Sequence, residues 1–139
     1  MQRTIILTEE QINHLCGKIP IKVLWLDDVR DPNKYLFDDS KEMTAPRERN
    51  LSFYSEFCKK YEPHFVWVKN FEEFKNYILK NGLPEFVSFD HDLGKGLKKG
   101  AECAYWLRRY CQENNKPLPK FFAHSANTEG RMIINDIMS

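Results

Sequence analysis

The sequence predicts an α/β fold: a small doubly wound parallel sheet of about four core strands flanked by helices, in a single domain over residues 1–139. Three observations predict it. Short apolar runs rich in β-branched and aromatic residues alternate with stretches whose apolar residues recur at helical spacing, the pattern that builds right-handed βαβ crossovers. The runs lack polar alternation, as in strands covered by helices on both faces. Finally, three of the runs end abruptly in acids, histidine or hydroxyl residues, and ligands of such sheets gather outside the carboxyl ends of the strands.

Residues 1–20 read as an N-terminal extension, in which Thr8 and Gln11 start a short helix from Glu9 to Cys16 and Gly17 stops it. Ile19–Leu26 is the first strand, delivering Asp27 and Asp28 to its carboxyl edge. From Val29 to Asn50 the chain is polar, carries Pro32 and Pro46 and shows no apolar periodicity, which predicts a long loop, either a lid or a surface insertion. Phe53, Tyr54, Phe57 and Tyr61 share one side of a helix over Leu51–Tyr61, with Pro63 as a break, so that 29–62 forms a loop-and-helix insertion. A second strand, His64–Val68, follows. Asn70 caps a helix carrying Phe71, Phe74, Ile78 and Leu79, closed by Asn81 and Gly82. Phe86–Phe89 is the third strand and runs into Asp90, His91 and Asp92. After the glycine-rich stretch Leu93–Gly100 comes a helix with Ala101, Ala104, Leu107 and Cys111. Phe121–Ala123 is the fourth strand and ends in His124, Ser125, Ala126 and Asn127. Thr128 caps a last helix through Ile137.

Charge and composition exclude several classes of function. Twenty-one Lys and Arg against 20 Asp and Glu leave +1, so no long-range field draws the chain to long nucleic acid, and Lys95, Lys98 and Lys99 are the only basic cluster. Nothing approaches the ~18 consecutive apolar residues of a membrane span, and the first residues lack a secretory signal, so a cytoplasmic protein without membrane contact is expected. Cys16, Cys58, Cys103 and Cys111 have no metal-ligand spacing and read as reduced thiols. The Gly94–Gly100 loop matches no phosphate-binding fingerprint.

The strand ends carry the chemistry. Asp27, Asp28, Asp90 and Asp92 converging on one crevice repel one another unless a cation neutralises them, and oxygen ligands favour Mg²⁺ or Mn²⁺. Mg²⁺ held by few carboxylates takes substrate phosphate oxygens, so a small phosphorylated ligand is the expected partner. His91 and His124 are groups that move protons near neutral pH, Ser125 and Asn127 hydrogen-bond phosphate oxygens, and Arg30 and Arg131 clamp the remaining charge. Each has a plainer reading. An acid doublet also makes a turn or helix cap, and His124 after an apolar strand also fits a satisfied core histidine. The Asp90–His91–Asp92 triplet fits a mere turn least well, because acids ending an apolar strand are costly when unpaired.

The acid pair after the first strand, the acid ending the third and the hydroxyl followed by Ala after the fourth resemble the receiver domain of two-component signalling. That resemblance implies Mg²⁺ held by Asp27, Asp28 and Asp90, the last as phosphoacceptor, with a carbonyl from Asp92 and the Ser125 hydroxyl on the phosphoryl group. A receiver continues to a fifth strand bearing a phosphate-binding Lys, which has no counterpart before Ser139. The longer strings, Leu24 to Pro32, Phe89 to Gly94 and His124 to Asn127 with Gly130 and Arg131, are similar to the divergent cyclic-phosphate-processing receiver domains, over about Lys22 to Ile137. The resemblance and the residues together imply a metal-dependent phosphoesterase that hydrolyses a cyclic phosphate on a nucleotide or RNA end. His91 or His124 serves as acid or base, and covalent attack by Asp90 is a variant. The alternatives are a stand-alone receiver-like phosphoacceptor switch acting through a protein partner, and a non-catalytic binder of cyclic nucleotides.

Overall fold

The computed structural model describes residues 17–38 and 40–139, and the helix expected over Glu9–Cys16 lies outside them. The order of elements is β1 (Ile19–Leu26), α1 (Pro32–Phe37), α2 (Ala45–Lys60), β2 (Tyr61–Val68), α3 (Phe71–Asn81), β3 (Phe86–Phe89), α4 (Gly100–Glu113), β4 (Lys120–Ala123) and α5 (Thr128–Met138). All pairings are parallel and the strand order is β2-β1-β3-β4, a receiver-like α/β sheet flanked by helices. The chain steps outward from β1 to β2, then returns past β1 to β3 and β4. Strand order therefore reverses at β1, which makes the mouth of the β1–β3 crevice the place where ligands of such sheets bind.

Alternate side chains of each strand divide between two layers. Leu24, Leu26, Val87, Phe89 and Ala123 pack with Phe74 and Ile78 of α3, Leu107 of α4 and Ile134 of α5. On the other face Trp25 packs with Leu36 of α1 and Tyr54 of α2, joined by Phe53, Phe65 and Phe122. Cys103 and Cys111 are buried free thiols on α4, and Cys58 is a half-buried one. No helix among the described residues is long and apolar enough to cross a membrane.

The long loop expected over Val29–Asn50 is instead α1 and the first turns of α2, so the helix expected over Leu51–Tyr61 begins earlier, at Ala45, and ends at Lys60, with Tyr61 opening β2. Asp31 accepts from the Asn33 backbone N–H and Pro32 opens α1, while Thr44 accepts from the Arg47 N–H at the start of α2. α1 and the start of α2 escaped notice because what they bury is not an apolar stripe: ahead of Leu51, α2 buries Arg47 and Asn50. Arg47 donates from Nε to the Tyr35 carbonyl at 2.9 Å, from one terminal nitrogen to Lys41 O at 3.1 Å and from the other to Asp38 O at 2.9 Å. One guanidinium thus satisfies three backbone acceptors and folds the 35–41 segment against α2. With β1 and β2 parallel neighbours, α2 lies in the crossover between them.

Two smaller expectations also differ. Pro63 does not precede β2 but lies within it, opposite Ile21. An edge strand tolerates a residue without an N–H. The cap of α5 is Asn127, whose Oδ1 accepts from the Gly130 N–H at 2.9 Å, rather than Thr128. The Asn70 cap and the Gly82 stop of α3 are as expected, Gly82 standing at φ 86°, where a side chain is disfavoured.

Candidate metal centre

Sheet register builds the site. Trp25 lies opposite Ser88 and Ser88 opposite Phe122, and the next row is Leu26, Phe89 and Ala123. The ladder continues one step further, through Asp90 N–H to Leu26 O and His124 N–H to Phe89 O, each at 2.9 Å. The following row is therefore Asp27, Asp90 and His124. All three are buried, and one ligating atom from each lies within 4.8 Å of the others.

Asp27 is the most fully engaged. Oδ1 accepts from the Val29 and Arg30 N–H groups at 3.0 and 2.9 Å, and Oδ2 lies 3.0 Å from His124 Nε2 and 3.5 Å from an Arg30 terminal nitrogen. Burial alone would raise its pKa, but the His124 hydrogen bond and the two backbone donors outweigh that and hold the carboxyl below its ordinary value. Asp90 goes the other way. Burial, then the Asp27 carboxylate, push it up to about 7 against the opposing pull of Ser125, the His91 N–H and Arg30. Arg30 stands between the acids at 3.5 and 3.8 Å, distances too long for a strong bidentate pair. Two buried carboxylates, one held low and one pushed up by burial and by its neighbour, fit a hard divalent cation.

His124 sits behind the carboxylates. Its ring is stacked on Trp25 at 3.8 Å and 5°, Nδ1 lies 2.7 Å from Ser88 Oγ and Nε2 meets Asp27. Burial, against the pull of Asp27, lowers its pKa, so it is neutral at pH 7. A neutral ring with Nε2–H donating to Asp27 accepts at Nδ1 from Ser88, which fixes the orientation of Asp27. His124→Phe keeps the ring but removes both bonds. It is expected to lose about 2–4 kcal/mol in denaturant unfolding and to weaken Mg²⁺ binding roughly 10–100-fold by calorimetry. Unchanged metal affinity would rule out a positioning role.

The other expected residues lie on the turns after the same strand ends and at the start of α5. Asp28 is half-buried beside Asp27. His91 is buried, with Nδ1 3.4 Å from Asp92 Oδ1 and 3.5 Å from Asn127 Nδ2, while Asn127 Nδ2 also donates to Asp92 Oδ2 at 3.2 Å. Asp92 itself is exposed. Ser125 is buried, and its Oγ accepts from the Asn127 N–H at 3.1 Å. Arg131 donates to Ser125 O at 2.8 Å and to Thr128 Oγ1 at 3.2 Å.

Sequence reasoning missed the supports. Arg49 also donates to Ser125 O, at 2.7 Å, and Asn50 Nδ2 donates to His124 O at 2.8 Å, so α2 holds the end of β4 in place. Nothing local marks either residue. Ser88 was legible as the lone polar position of Phe86–Phe89. Gly100 and Gly130 flank the Asp90–His91 turn so closely that a Cβ on Gly130 would stand 2.6 Å from His91 Cβ, and one on Gly100 2.8 Å from the Asp90 carbonyl carbon.

No curated protein matches the chain in sequence. Among solved structures, a fusion protein carrying the yeast Spc42 trimeric coiled coil, amino acids 181–211, aligns with 86% of this chain at 16% identity and a TM-score of 0.49. The chain spans 61% of the length of that protein. Residues 22–139 match the model of the cyclic-phosphate processing receiver domain, and the chain belongs to that family.

Proposed function

We propose that the protein is a divalent-metal-dependent phosphoesterase that hydrolyses a cyclic phosphate on a nucleotide or RNA end. The observation that carries this reading is the paired burial of Asp27 and Asp90 at the strand-order reversal, with Asp90 pushed up to about 7 by burial and by the Asp27 carboxylate. Asp27 and Asp90, with Asp28 at the rim and Asp92 assisting, would hold Mg²⁺ or Mn²⁺, which when bound supplies charge neutralisation and Lewis acidity at the phosphoryl group. Arg30, loosely held between the carboxylates, turns from them to the phosphoryl oxygens. Ser125 and Asn127 donate to the same oxygens, and Arg131 with Arg49 holds Ser125 in place by its carbonyl. His91 is the proton-transfer group, because both ring nitrogens of His124 are engaged within the protein. Hydrolysis adds hydroxide to phosphorus and a proton to the departing ribose oxygen, leaving an open phosphomonoester.

The test is a panel of 3′,5′-cyclic mononucleotides, cyclic oligonucleotides and RNA with 2′,3′-cyclic ends, incubated with Mg²⁺ or Mn²⁺ and followed by phosphorus NMR. Turnover of one class, abolished by EDTA and restored by the metal, is expected. Tight binding without product would make the chain a binder. A hydroxylamine-sensitive adduct formed from acetyl phosphate would make it a phosphoacceptor switch.

A further inference from the structure

We propose that the cavity between α1 and the end of β2 is a second phosphate subsite, which takes a further phosphate of the same nucleotide ligand. This rests on the phosphoesterase reading and adds a substrate class to it: nucleoside cyclic phosphates that carry another phosphate. The cavity holds about 360 Å³ and is walled by Arg30, Asp31, Lys34, Tyr35, Lys41 and Trp67. Three cations face one acid, and the acid is already committed as the cap of α1. Such an excess of positive charge in a concave, partly apolar site suits a phosphate beside a ribose or base ring.

The walls are rigid for identifiable reasons. Arg47 fastens the carbonyls of Tyr35, Asp38 and Lys41, and Trp25 Nε1 donates to Arg30 O at 2.9 Å. Trp67 Nε1 donates to Asp27 O at 2.6 Å, which ties the cavity wall to the strand end that bears the carboxylates. Arg30 belongs to both places, lining the cavity while its terminal nitrogen lies 3.5 Å from Asp27 and 3.8 Å from Asp90. A phosphate in the cavity and a phosphoryl group over the carboxylates are therefore neighbours across one guanidinium, at the scale of a single nucleotide rather than of separate ligands.

The experiment compares adenosine 2′,3′-cyclic phosphate with and without a 5′-phosphate, titrated in Mg²⁺ into the full chain and into Lys34→Ala/Lys41→Ala. Both lysines are exposed, so the variant keeps the core intact. The 5′-phosphorylated ligand is expected to bind the wild-type chain on the order of tenfold tighter, with a steeper salt dependence, and the ratio of the two affinities is expected to fall to about one in the variant. Lys34→Arg/Lys41→Arg restores the ratio. Equal affinity of the two ligands for the wild-type chain, or an advantage that survives the double alanine change, overturns the subsite. Turnover is read separately. Adenosine 3′,5′-bisphosphate bound in a Lys34- and Lys41-dependent way, with no hydrolysis of these ligands or of any other cyclic phosphate in the panel, would keep the subsite and remove the phosphoesterase reading. Hydrolysis indifferent to the 5′-phosphate would do the reverse.

Discussion

Asp90→Asn is expected to abolish metal-dependent hydrolysis of the cyclic phosphate, by roughly 10³-fold or more, while making the metal-free chain more stable. The two effects have one cause. Asparagine has the shape of aspartate but no charge, so the repulsion from Asp27 that raises Asp90 disappears. In EDTA the variant should melt higher, by on the order of 5 °C for a domain of this size. A saturating divalent cation should raise the melting temperature of the wild-type chain, with about 2.7 kcal/mol available at a hundred times the dissociation constant. The variant should show no such rise. Calorimetric melting with EDTA and with Mg²⁺, beside a turnover assay, reads all three quantities. Full activity, or an undiminished Mg²⁺-induced rise, would remove Asp90 from the metal centre. Lower stability in EDTA would mean that the acid pair is not under repulsion.

Gly100→Ala is expected to be the most damaging single methyl in the molecule. A Cβ there would lie 2.8 Å from the Asp90 carbonyl carbon and 3.0 Å from His91 Cα, and both are backbone atoms that cannot rotate away. The Gly100 N–H also donates to His91 O at 2.7 Å, so α4 begins directly against the turn that presents Asp90 and His91. Relief requires moving the helix or the turn. A loss of about 3 kcal/mol or more is expected in urea unfolding, together with weaker Mg²⁺ binding as Asp90 shifts. Gly96→Ala is the control. Gly96 has φ 77° with open space around its missing Cβ, so alanine there should cost only the left-handed backbone strain, about 1 kcal/mol, and leave metal binding alone. Equal losses at the two glycines would show that backbone freedom, not the close approach of α4, is what Gly100 provides.

Legibility followed how far apart in the chain the causes lie. The strands and α3, α4 and α5 were readable because their apolar spacing is a local record of which face is buried, with Phe74 and Ile78 on α3 as the clearest case. The acids after β1 and β3 were readable because polar residues that end an apolar run are exceptions to burial. The later part of α2 was readable too, from Phe53, Tyr54 and Phe57, but α1 and the first turns of α2 were not. Their buried positions include Pro32, Arg47 and Asn50, and a helix that buries an arginine and an asparagine leaves no apolar period to detect.

The sequence by itself determined the α/β architecture and the place of Asp27, Asp90 and His124 at strand ends. Only the tertiary structure decided which of these groups meet, and with what partners. Asp27 and His124 are 97 positions apart and meet because the register places them in one row. Their hydrogen bond helps hold Asp27 low, while burial and the Asp27 carboxylate push Asp90 up. The reason is physical: periodicity is written into neighbouring residues, whereas the charge state and orientation of a buried group depend on donors and carboxylates brought up by other strands and by α2.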